Sequence, residues 1–573
     1  MKVVRVVPDV PSFSVDDGFA YRLPEGLDAG VGSLVRVPLG GRRVRGWVVS
    51  AVEPERPSLK EVISVSGDLP VFDHRLLEVL RWAALRYVAP LAALLAKSTP
   101  PNLPRRAQGN VSAAGRVGGG AGVRTIVGPG PWGPVVVPVV APAIEAGSTA
   151  VVIASTVDEA EAIFSHARDG MGESAVFASS HLPAKEVTAA WVAAAIRPGT
   201  LLVGTREVAL WPWADPGVVV LVGEGRRGMK DKATPTVHVR DVVLRRRPLE
   251  RFDVVMCDAV PSAEAVTASD EVTSTGKRAW GLIEVVDRRG DPPGSGLLAA
   301  TTRAAIRAVL DDRRSVLLFS DRRIAAQRCI RCRALRRCAT CGAGPGASEA
   351  CPRCGAPVGA CTRCGGKRFE ALGSAAPRVM AEAARIVGRE VVGDVGSGRP
   401  IVVGTERDLP GLTVDLTVVV DADGPLLAPN YRAGEDALRM LGRAVAAAGT
   451  GRGRRAIVQT VDPEHPVIQA LASGDPLEFV RGDAARRSRA GFPPGGEIVV
   501  VEVTGLAGEL AGELAAEVGS RAEVHGPAPQ GDGLRWLLQG RDLSAARTVL
   551  RGVVGRWREG GARVRVDADP IEL

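Results

Sequence analysis

Eight of the nine cysteines of this chain occur as C-x-x-C pairs within one segment, CIRCRALRRCATCGAGPGASEACPRCGAPVGACTRCGGKR. A two-residue spacer lets both thiolates of a pair face one tetrahedral Zn²⁺, and two such pairs complete a Cys₄ site. The segment therefore predicts two structural zinc ions, with no open coordination position for catalysis. The pairs are Cys329/Cys332, Cys338/Cys341, Cys351/Cys354 and Cys361/Cys364.

The spacing alone leaves the assignment of pairs to metals open. Neighbouring pairs could share a metal, or the two inner pairs could form one site and the two outer pairs the other. Loop-closure entropy rises only with the logarithm of loop length, so the loop lengths do not decide between the two arrangements. Disulfides are the alternative to zinc, and they are disfavoured for a chain without a leader in a reducing cytosol.

Composition and charge limit the classes of protein to which the chain can belong. At 573 residues, with 46% hydrophobic and 24% charged residues, it is expected to form several globular domains. It has no signal-peptide pattern and no apolar run of about 18 residues, which predicts a cytoplasmic protein without a membrane partner. A net charge of +9 suggests a polyanionic partner, and residues 321–370 hold eleven basic against three acidic residues.

The hydrophobic pattern predicts a multidomain α/β protein. A β-rich N-terminal region is followed by Val-rich strands that alternate with helices, and the last region mixes strands and helices in an α+β arrangement. The predicted units are 1–104, a linker at 105–124, a first α/β lobe at 125–300, a second lobe at 301–325 and 369–485 that the cysteine module 326–368 interrupts, and a C-terminal domain at 495–573.

The stretch IVGPGPWGPVVV lies just ahead of an Ala-rich run and an apolar predicted strand, where a nucleotide-binding protein has its phosphate loop. Gly128 and Gly133 have the spacing of G-x-x-x-x-G-K-[ST], but Pro134 and Val135 replace the Lys and the Ser/Thr. The Lys contacts the β/γ-phosphates and the hydroxyl binds Mg²⁺. The stretch therefore predicts a phosphate loop without its catalytic groups.

Several further strings follow one another along the chain. They are GFAYRLPEG, VRVPLGGRRVRGWVV, LKEVISVSGDLPVF, GTREVALWPW, KATPTVHVRDVVLRR, the paired cysteines, VDPEHPVIQAL, FPPGGEIVVVEV and VHGPAP with LRWLLQG and VRVDADP. In this order they resemble the PriA family of primosomal replication-restart proteins, and in particular its actinobacterial branch. The resemblance covers nearly the whole chain.

This resemblance implies a domain that binds the 3′ end of DNA, two degenerate RecA-like helicase lobes with an inserted double zinc module, and a C-terminal α+β domain. It also implies nested zinc sites, Cys329, Cys332, Cys361 and Cys364 for the first zinc and Cys338, Cys341, Cys351 and Cys354 for the second. Phe19, Gly40 and Lys60 match positions of the family's 3′-end pocket, but Ala20 replaces an Asp that would bind the terminal nucleotide.

The chain departs from the family's pattern at the motifs that bind and hydrolyse ATP. The D-E-x-H box is replaced by Gly223-Glu224-Gly225-Arg226, and the run GRAVAAAGTGRGRR lacks the G-R-x-G-R spacing of the arginines that contact the γ-phosphate. ATP and Mg²⁺ are implied by the family, yet the residues that would hold them are missing. The lobes are therefore predicted to be a scaffold without ATPase activity. The family's winged helix is also absent, because only the linker 105–124 occupies its place.

The predicted function is to bind forked and single-stranded DNA at stalled replication forks and to promote primosome assembly and reloading of the replicative helicase. The implied protein partners are primosome proteins, the helicase or its loader, and the single-stranded-DNA-binding protein. Two alternatives remain, an ATP-dependent helicase with an unrecognised nucleotide site and a zinc-ribbon adaptor that binds only proteins. The predicted contacts to DNA phosphates are Arg42, Arg43 and Arg45 on an N-terminal hairpin and Arg322, Arg323, Arg336 and Arg337 beside the zinc module.

Overall fold

The N-terminal strands form a curved antiparallel sheet in the order β2-β1-β4-β3-β5. Its strands are β1 (Lys2–Pro8), β2 (Phe19–Leu23), β3 (Leu34–Leu39), β4 (Arg42–Val52) and β5 (Ser64–Ser66). The sheet closes on itself, because Glu61 bridges Arg22 of β2 and the N–H of Ile63 donates to the carbonyl of Arg36 in β3. Val4 and Val6 of β1 lie in the small core inside this sheet.

Two helices follow, α1 (His74–Arg86) and α2 (Leu91–Ser98). Asp73 caps α1 by accepting a hydrogen bond from the N–H of Leu76 at 2.8 Å. The largest hydrophobic core contains the apolar faces of both helices together with residues of the first lobe and of the C-terminal domain. The N-terminal domain is therefore packed onto the rest of the molecule.

The first lobe is a parallel sheet in the order β12-β6-β11-β10-β7-β9-β8. The central strand β10 is buried along its whole length, as expected for a sheet that helices cover on both faces. The elements are β6 (Val123–Val127), α3 (Gly133–Glu145), β7 (Thr149–Ala154), α4 (Val157–Met171), β8 (Ala175–Ala178), α5 (Ala184–Ile196), β9 (Leu201–Gly204), β10 (Pro216–Val222), α6 (Val239–Glu250), β11 (Asp253–Asp258), α7 (Ala263–Ala268) and β12 (Glu271–Ser274).

The second lobe is a parallel sheet in the order β13-β20-β19-β14-β18-β17, and the antiparallel pair β15/β16 carries the cysteine module between β14 and α9. β13 lies within 125–300, the range predicted for the first lobe, but it pairs with β20 of the second sheet. The elements are β13 (Ile283–Asp287), α8 (Ala300–Asp311), β14 (Val316–Phe319), β15 (Ala326–Cys329), β16 (Phe369–Leu372), α9 (Ala376–Val387), β17 (Val392–Asp394), β18 (Ile401–Gly404), β19 (Leu416–Val419), α10 (Asp423–Leu426), α11 (Ala433–Ala446), β20 (Arg455–Thr460), α12 (Pro466–Ser473) and α13 (Leu477–Arg489).

The C-terminal domain is an antiparallel sheet in the order β22-β23-β21-β24 with two helices. Its elements are β21 (Glu497–Thr504), α14 (Glu513–Val518), β22 (Glu523–Gln530), β23 (Gly533–Gly540), α15 (Ser544–Glu559) and β24 (Arg563–Ala568). Trp536 and Trp557 pack against each other in its core, with ring centroids 5.5 Å apart.

This architecture comes from a computed structural model, which describes residues 2–571 apart from 54–58, 103–110, 112–121, 293–294, 322–325, 333, 335, 341–348, 352–354, 373–374, 429, 506–511 and 531–532. The predicted fold class is confirmed: a β-rich N-terminal domain, two parallel α/β lobes with an inserted cysteine module, and a C-terminal α+β domain. Within the described ranges, no helix has the length and apolar character needed to cross a membrane.

Candidate nucleic-acid interface and metal centre

The β3–β4 hairpin presents two of the predicted DNA-binding arginines at its tip. Gly40 and Gly41 form the turn with φ values of +55° and +76°, a region in which L side chains are strained. Arg42 and Arg43, the first residues of β4, are both exposed. Arg45 is exposed as well, but it forms an ion pair with Asp9 at 2.7 Å.

The predicted 3′-end pocket residues lie on neighbouring elements of the same sheet. Phe19 begins β2 and is 40% exposed, which is unusual for a phenylalanine in a folded domain. Lys60 is exposed, and its carbonyl accepts a hydrogen bond from the N–H of Arg22 at 2.9 Å, which holds its segment alongside β2. The Tyr21 hydroxyl donates to the carbonyl of Pro38 beside the hairpin turn. Phe19 therefore lies on β2 and Lys60 lies beside it, and the hydrogen bond from Tyr21 to Pro38 connects the hairpin to the same strand.

The structure brings the two outer cysteine pairs together. The four Sγ atoms all lie within 4.8 Å of one another; they belong to Cys329, Cys332, Cys361 and Cys364. The sulfur atoms of Cys329 and Cys364 are 3.6 Å apart, as are those of Cys332 and Cys361. Tetrahedral Zn²⁺ with Zn–S bonds of about 2.3 Å requires sulfur atoms about 3.8 Å apart, so the four thiols fit a zinc ion.

The backbone around Cys361 is shaped to hold a thiolate. The N–H of Cys361 donates to the Gly366 carbonyl, and the N–H of Gly365 donates to the Cys361 carbonyl, both at 2.8 Å. The N–H groups of Arg363 and Cys364 lower the pKa of the Cys361 thiol to about 7. A Cβ on Gly366 would lie 3.0 Å from Sγ of Cys329, so glycine allows this turn to approach the sulfur cluster.

The inner pairs are only partly described. Cys338 and Cys351 are buried, whereas Cys341 and Cys354 lie outside the described residues. Around Cys351 the backbone repeats the Cys361 turn, because its N–H donates to the Ala356 carbonyl and the N–H of Gly355 donates to the Cys351 carbonyl, again at 2.8 Å. The same local geometry at two positions indicates a second group that could hold a metal.

The arginines beside the module have different surroundings. Arg336 is half-buried; it donates to Oε1 of Gln327 at 2.8 Å and to the Val358 carbonyl at 3.1 Å, and its guanidinium stacks 4.7 Å from the centre of the Phe369 ring. Arg336 therefore holds parts of the module together. Arg337 is exposed, and the predicted contacts Arg322 and Arg323 lie outside the described residues.

In the first α/β lobe, an arginine lies at the position of the missing Asp of the D-E-x-H box. The guanidinium of Arg226 lies directly on Gly223, so that a Cβ at position 223 would be 2.2 Å from Nε of Arg226. Arg226 is 8% exposed and forms an ion pair with Glu159 at 2.5 Å. A fixed positive charge thus occupies the space of the missing Asp side chain of the D-E-x-H box.

The remaining carboxylate of that box is engaged in protein contacts. Glu224 is 1% exposed and accepts hydrogen bonds from Arg240 at 3.0 Å and from the N–H of Ser262 at 2.9 Å. At the phosphate loop, α3 begins at Gly133 and carries Pro134 in its first turn. The lobe therefore keeps the backbone order of a nucleotide site, with Pro134 in place of the Lys, Gly223 in place of the first carboxylate, and Glu224 buried in protein contacts.

A hydrophobic core joins the two lobes. Trp280, in the connection between β12 and β13, is fully buried, and its Nε1 donates to the Leu471 carbonyl at 2.7 Å. One core contains Trp280, Val127 at the end of β6, Val260 after β11 and residues of α11. A Cβ on Gly442 of α11 would lie 2.9 Å from the Trp280 ring, so the helix approaches this ring through a glycine.

A cavity of about 700 Å³ lies between the lobes at the carboxyl ends of strands from both sheets, the edge at which parallel sheets bind ligands. The sequence did not indicate this cavity, because its arginines come from separate loops and from α11. Arg226 and Arg443 belong to the two degenerate motifs, but nothing in the sequence shows that they face one space. Several of them are paired with acids, such as Arg443 with Glu406 at 2.6 Å. The charged lining residues include Arg226, Arg227, Arg407, Arg439, Arg443, Asp158, Asp321, Glu406 and Asp436.

Comparisons with known proteins agree with this organisation. Residues 5–100 match the family model of the PriA 3′DNA-binding domain. The chain is 27% identical over 447 residues to the "Probable replication restart protein PriA" of Mycobacterium bovis, an alignment that covers 67% of each chain. It is 24% identical over 567 residues to the replication restart protein PriA of Treponema pallidum, covering 86% of this chain and 85% of that one. The chain is thus similar to PriA replication restart proteins over most of its length.

The resemblance to the PriA family that the sequence motifs suggested is thus confirmed. A PriA of Synechocystis is 24% identical over 444 residues, which cover 65% of this chain and 53% of the relative. Among solved structures, RecG bound to a three-way DNA junction aligns with 63% of this chain and 43% of its own, at 11% identity and a TM-score of 0.36.

Proposed function

We propose that this PriA homologue binds stalled or abandoned replication forks and promotes primosome assembly and reloading of the replicative helicase without hydrolysing ATP. The matched 3′DNA-binding domain, with Arg42 and Arg43 exposed at the tip of its hairpin, supports DNA binding. The relatives are named replication restart proteins, which supports the role at forks. Its partners would be forked and single-stranded DNA, primosome proteins, the helicase or its loader, and the single-stranded-DNA-binding protein.

The observation that carries the absence of ATPase activity is the position of Arg226. Phosphoryl transfer needs Mg²⁺ bridging the β- and γ-phosphates and a carboxylate that orients it. The Arg226 guanidinium takes the place of the Gly223 side chain and is paired with Glu159. A dication beside this buried guanidinium would be repelled. The shared core around Trp280 contains residues of both lobes and so holds them together.

The cysteine module would hold two zinc ions. The outer cysteines supply one set of four thiolates, and Cys338, Cys341, Cys351 and Cys354 would supply the other. Four thiolates leave no position for water or substrate, so the metals would stabilise the module and take no part in chemistry. The basic character of residues 321–370 would then place a folded, positively charged surface near the DNA.

The proposal is tested by measuring fork binding and phosphate release in the same samples of full-length protein. We expect tighter binding to a fork than to blunt duplex at matched salt, with no DNA-stimulated hydrolysis. Arg42→Glu with Arg43→Glu should weaken fork binding and reduce the slope of log K against log salt by about 2. The matched control, Arg307→Glu with Arg481→Glu, changes two exposed arginines of the second lobe by the same charge and should bind as the unmodified chain does.

Two results would contradict the proposal. Equal affinity for fork and duplex would favour an adaptor that binds only proteins, and phosphate release at saturating ATP would favour an active helicase. The double variant Pro134→Lys and Val135→Thr restores the phosphate-loop side chains, but it should still release no phosphate because Arg226 remains. Turnover by that variant would show that the rest of the nucleotide site is intact.

A further inference from the structure

Basic side chains surround the outer cysteine site. Residues 326–368 contain nine arginine or lysine residues and one acidic residue, Glu349. Four of the nine are exposed in, or directly after, the two turns that carry the outer cysteines. We call these four residues the outer-site patch: Arg331, Arg363, Lys367 and Arg368. None of them is among the contacts to DNA that the sequence predicted.

Backbone contacts bring the first turn against the segment after the last cysteine. The N–H of Ile330 donates to the carbonyl of Arg368 at 3.1 Å, which joins the two segments. A Cβ on Gly366 would lie 3.6 Å from Cβ of Arg331. Arg331 therefore lies beside the residue that precedes Lys367.

The last turn carries the remaining arginine of the patch, Arg363. The N–H of Cys361 closes this turn by donating to the Gly366 carbonyl at 2.8 Å. The sulfur atoms of Cys332 and Cys361 lie 3.6 Å apart and so join the first turn to the last. The outer-site patch is therefore gathered around one sulfur cluster, although its residues come from two separate stretches of the chain.

The chain does not neutralise the positive charges of this patch. Within the ranges that the structure describes, none of its four side chains forms an ion pair or a hydrogen bond. Arg336 differs, because it donates to Gln327 and to the Val358 carbonyl and so holds the module together. A zinc ion with four thiolates is a dianion, so the patch keeps an excess of positive charge when the outer site holds its metal.

The surroundings of the patch do not resemble a protein-binding surface. Charged residues are depleted at the centre of protein–protein interfaces, whereas surfaces that bind DNA are much more positively charged. Among the described residues of the module, Ile330 is the single large apolar side chain that is exposed, at 45%. One such residue is ordinary on a protein surface and does not form an interface. A polyanion therefore fits the patch better than a protein does.

The module also lacks a surface on which bases could stack. Phe369 is the only aromatic residue in 326–370, and the Arg336 guanidinium lies 4.7 Å from the centre of its ring. Proteins that bind single-stranded DNA combine a basic groove with aromatic side chains on which the bases stack. The patch offers charge without stacking, which suits the phosphates of double-stranded DNA.

We propose that the outer-site patch binds the phosphate backbone of a duplex arm of the DNA. The inference rests on the proposed function, because it assigns part of the proposed fork contact to a defined surface of the cysteine module. Lysine and arginine contacts to phosphates carry no sequence information. The patch would therefore bind a duplex arm of any sequence, while the matched 3′DNA-binding domain contacts a strand end.

The test measures binding of the full-length protein to a fork, a blunt duplex and oligothymidylate over a range of salt concentrations. Arg331→Gln with Arg363→Gln should weaken binding to fork and duplex alike, by about tenfold at about 0.1 M salt. The slope of log K against log salt should fall by about 2. Adding Lys367→Gln and Arg368→Gln should bring the total reduction of the slope to about 4.

Lys367→Gln with Arg368→Gln alone provides an independent variant, because both residues lie outside the C-x-x-C spacers. It should also reduce the slope by about 2 while the zinc content stays that of the unmodified chain. The matched control is Arg307→Gln with Arg481→Gln, which removes two exposed arginines of the second lobe and should leave affinity and slope unchanged.

An unchanged slope in both patch variants overturns the inference and would leave an acidic protein as the partner of the patch. A loss confined to oligothymidylate overturns it as well, because the contact would then be to single-stranded DNA. These failures differ from a failure of the proposed function. If the unmodified chain prefers forks and the patch variants keep the full slope, only this inference fails; if the unmodified chain binds fork and duplex equally, the proposed function fails.

Discussion

Trp280→Ala is expected to uncouple the two lobes. The Trp280 side chain is fully buried in a core that contains residues of both lobes. Truncating a buried Trp to Ala costs about 3–5 kcal/mol, and the Leu471 carbonyl, which accepts from Nε1 at 2.7 Å, loses a hydrogen bond of about 1 kcal/mol. The total loss is about 4–6 kcal/mol. Because the ring lies between the lobes, most of it should be lost from the free energy that holds the two lobes together.

Calorimetry and hydrogen exchange of the full chain measure this effect. In Trp280→Ala, the lobes should unfold in separate steps, and amide protection should fall in α11 and after β11, on both sides of the interface. The matched control is Trp557→Ala, because Trp557 is also buried, at 1% exposure, and its Nε1 donates to Glu513 at 2.7 Å, but it lies within the C-terminal domain. That variant should be destabilised by a similar amount without loss of protection at the lobe interface.

The reasoning would be refuted if Trp280→Ala lowered the Tm to the same extent as Trp557→Ala while protection of α11 stayed unchanged. Trp280 would then be an ordinary core residue of one lobe, and other contacts would hold the two lobes together. Trp280→Phe distinguishes packing from the hydrogen bond, since it keeps most of the ring and leaves the Leu471 carbonyl without its donor.

Three further predictions concern the degenerate D-E-x-H box, the cysteines and the interlobe cavity. Gly223→Asp should lower stability, because Gly223 has a φ of +71° and its Cβ would lie 2.2 Å from Nε of Arg226. Adding Arg226→Ala should relieve the contact but leave the backbone strain, so stability in urea titrations should stay below that of the unmodified chain, and no phosphate should be released. Metal analysis should find about two zinc ions per chain. Cys364→Ser should reduce the amide protection of β15 and β16, whereas Cys354→Ser should leave those strands protected. The reverse pattern would contradict the nested arrangement of the two zinc sites. Burial raises the pKa of Asp436 to about 6, so the folded state holds this proton more tightly than the unfolded state, and the stabilisation is lost as pH rises from about 4 to about 6. Asp436→Asn should flatten that part of the stability profile in denaturant titrations from pH 4 to pH 7.

The features that the sequence predicted well are those whose chemistry is local. The two-residue spacer of a C-x-x-C pair is enough to let both thiolates face one metal ion. Gly40-Gly41 between alternating apolar residues indicates a hairpin turn, because both residues must adopt positive φ. Runs such as the buried β10 strand indicate a parallel sheet because both of its faces are covered. These signals depend on neighbouring residues, so one sequence is enough to detect them.

The features that were missed depend on residues far apart in the chain. Trp280 is a single aromatic residue in a connection, and nothing in its surroundings shows that α11, more than 150 positions later, packs on it. In the sequence, Arg226 indicates only that the D-E-x-H box is degenerate. The structure adds that its guanidinium lies against Gly223. The assignment of β13 to the first lobe failed for a related reason, because strand pairing with β20 is set by tertiary contacts and leaves no mark in the strand itself.

The proposed loss of nucleotide chemistry and the retention of both lobes are compatible because different residues serve the two purposes. The largest core joins Trp47 of the N-terminal sheet, Trp211 of the first lobe and Trp557 of the C-terminal domain, all buried. Removing the first lobe would expose that core on both flanking domains, at a free energy of about 25 cal/mol for each Å² uncovered. The phosphate loop and the D-E-x-H box contribute almost nothing to this core, so Pro134, Gly223 and Arg226 can replace catalytic groups without loss of the scaffold. Buried contacts such as Trp280 then hold the lobes in one arrangement, which suits a protein that presents DNA-binding surfaces in fixed positions.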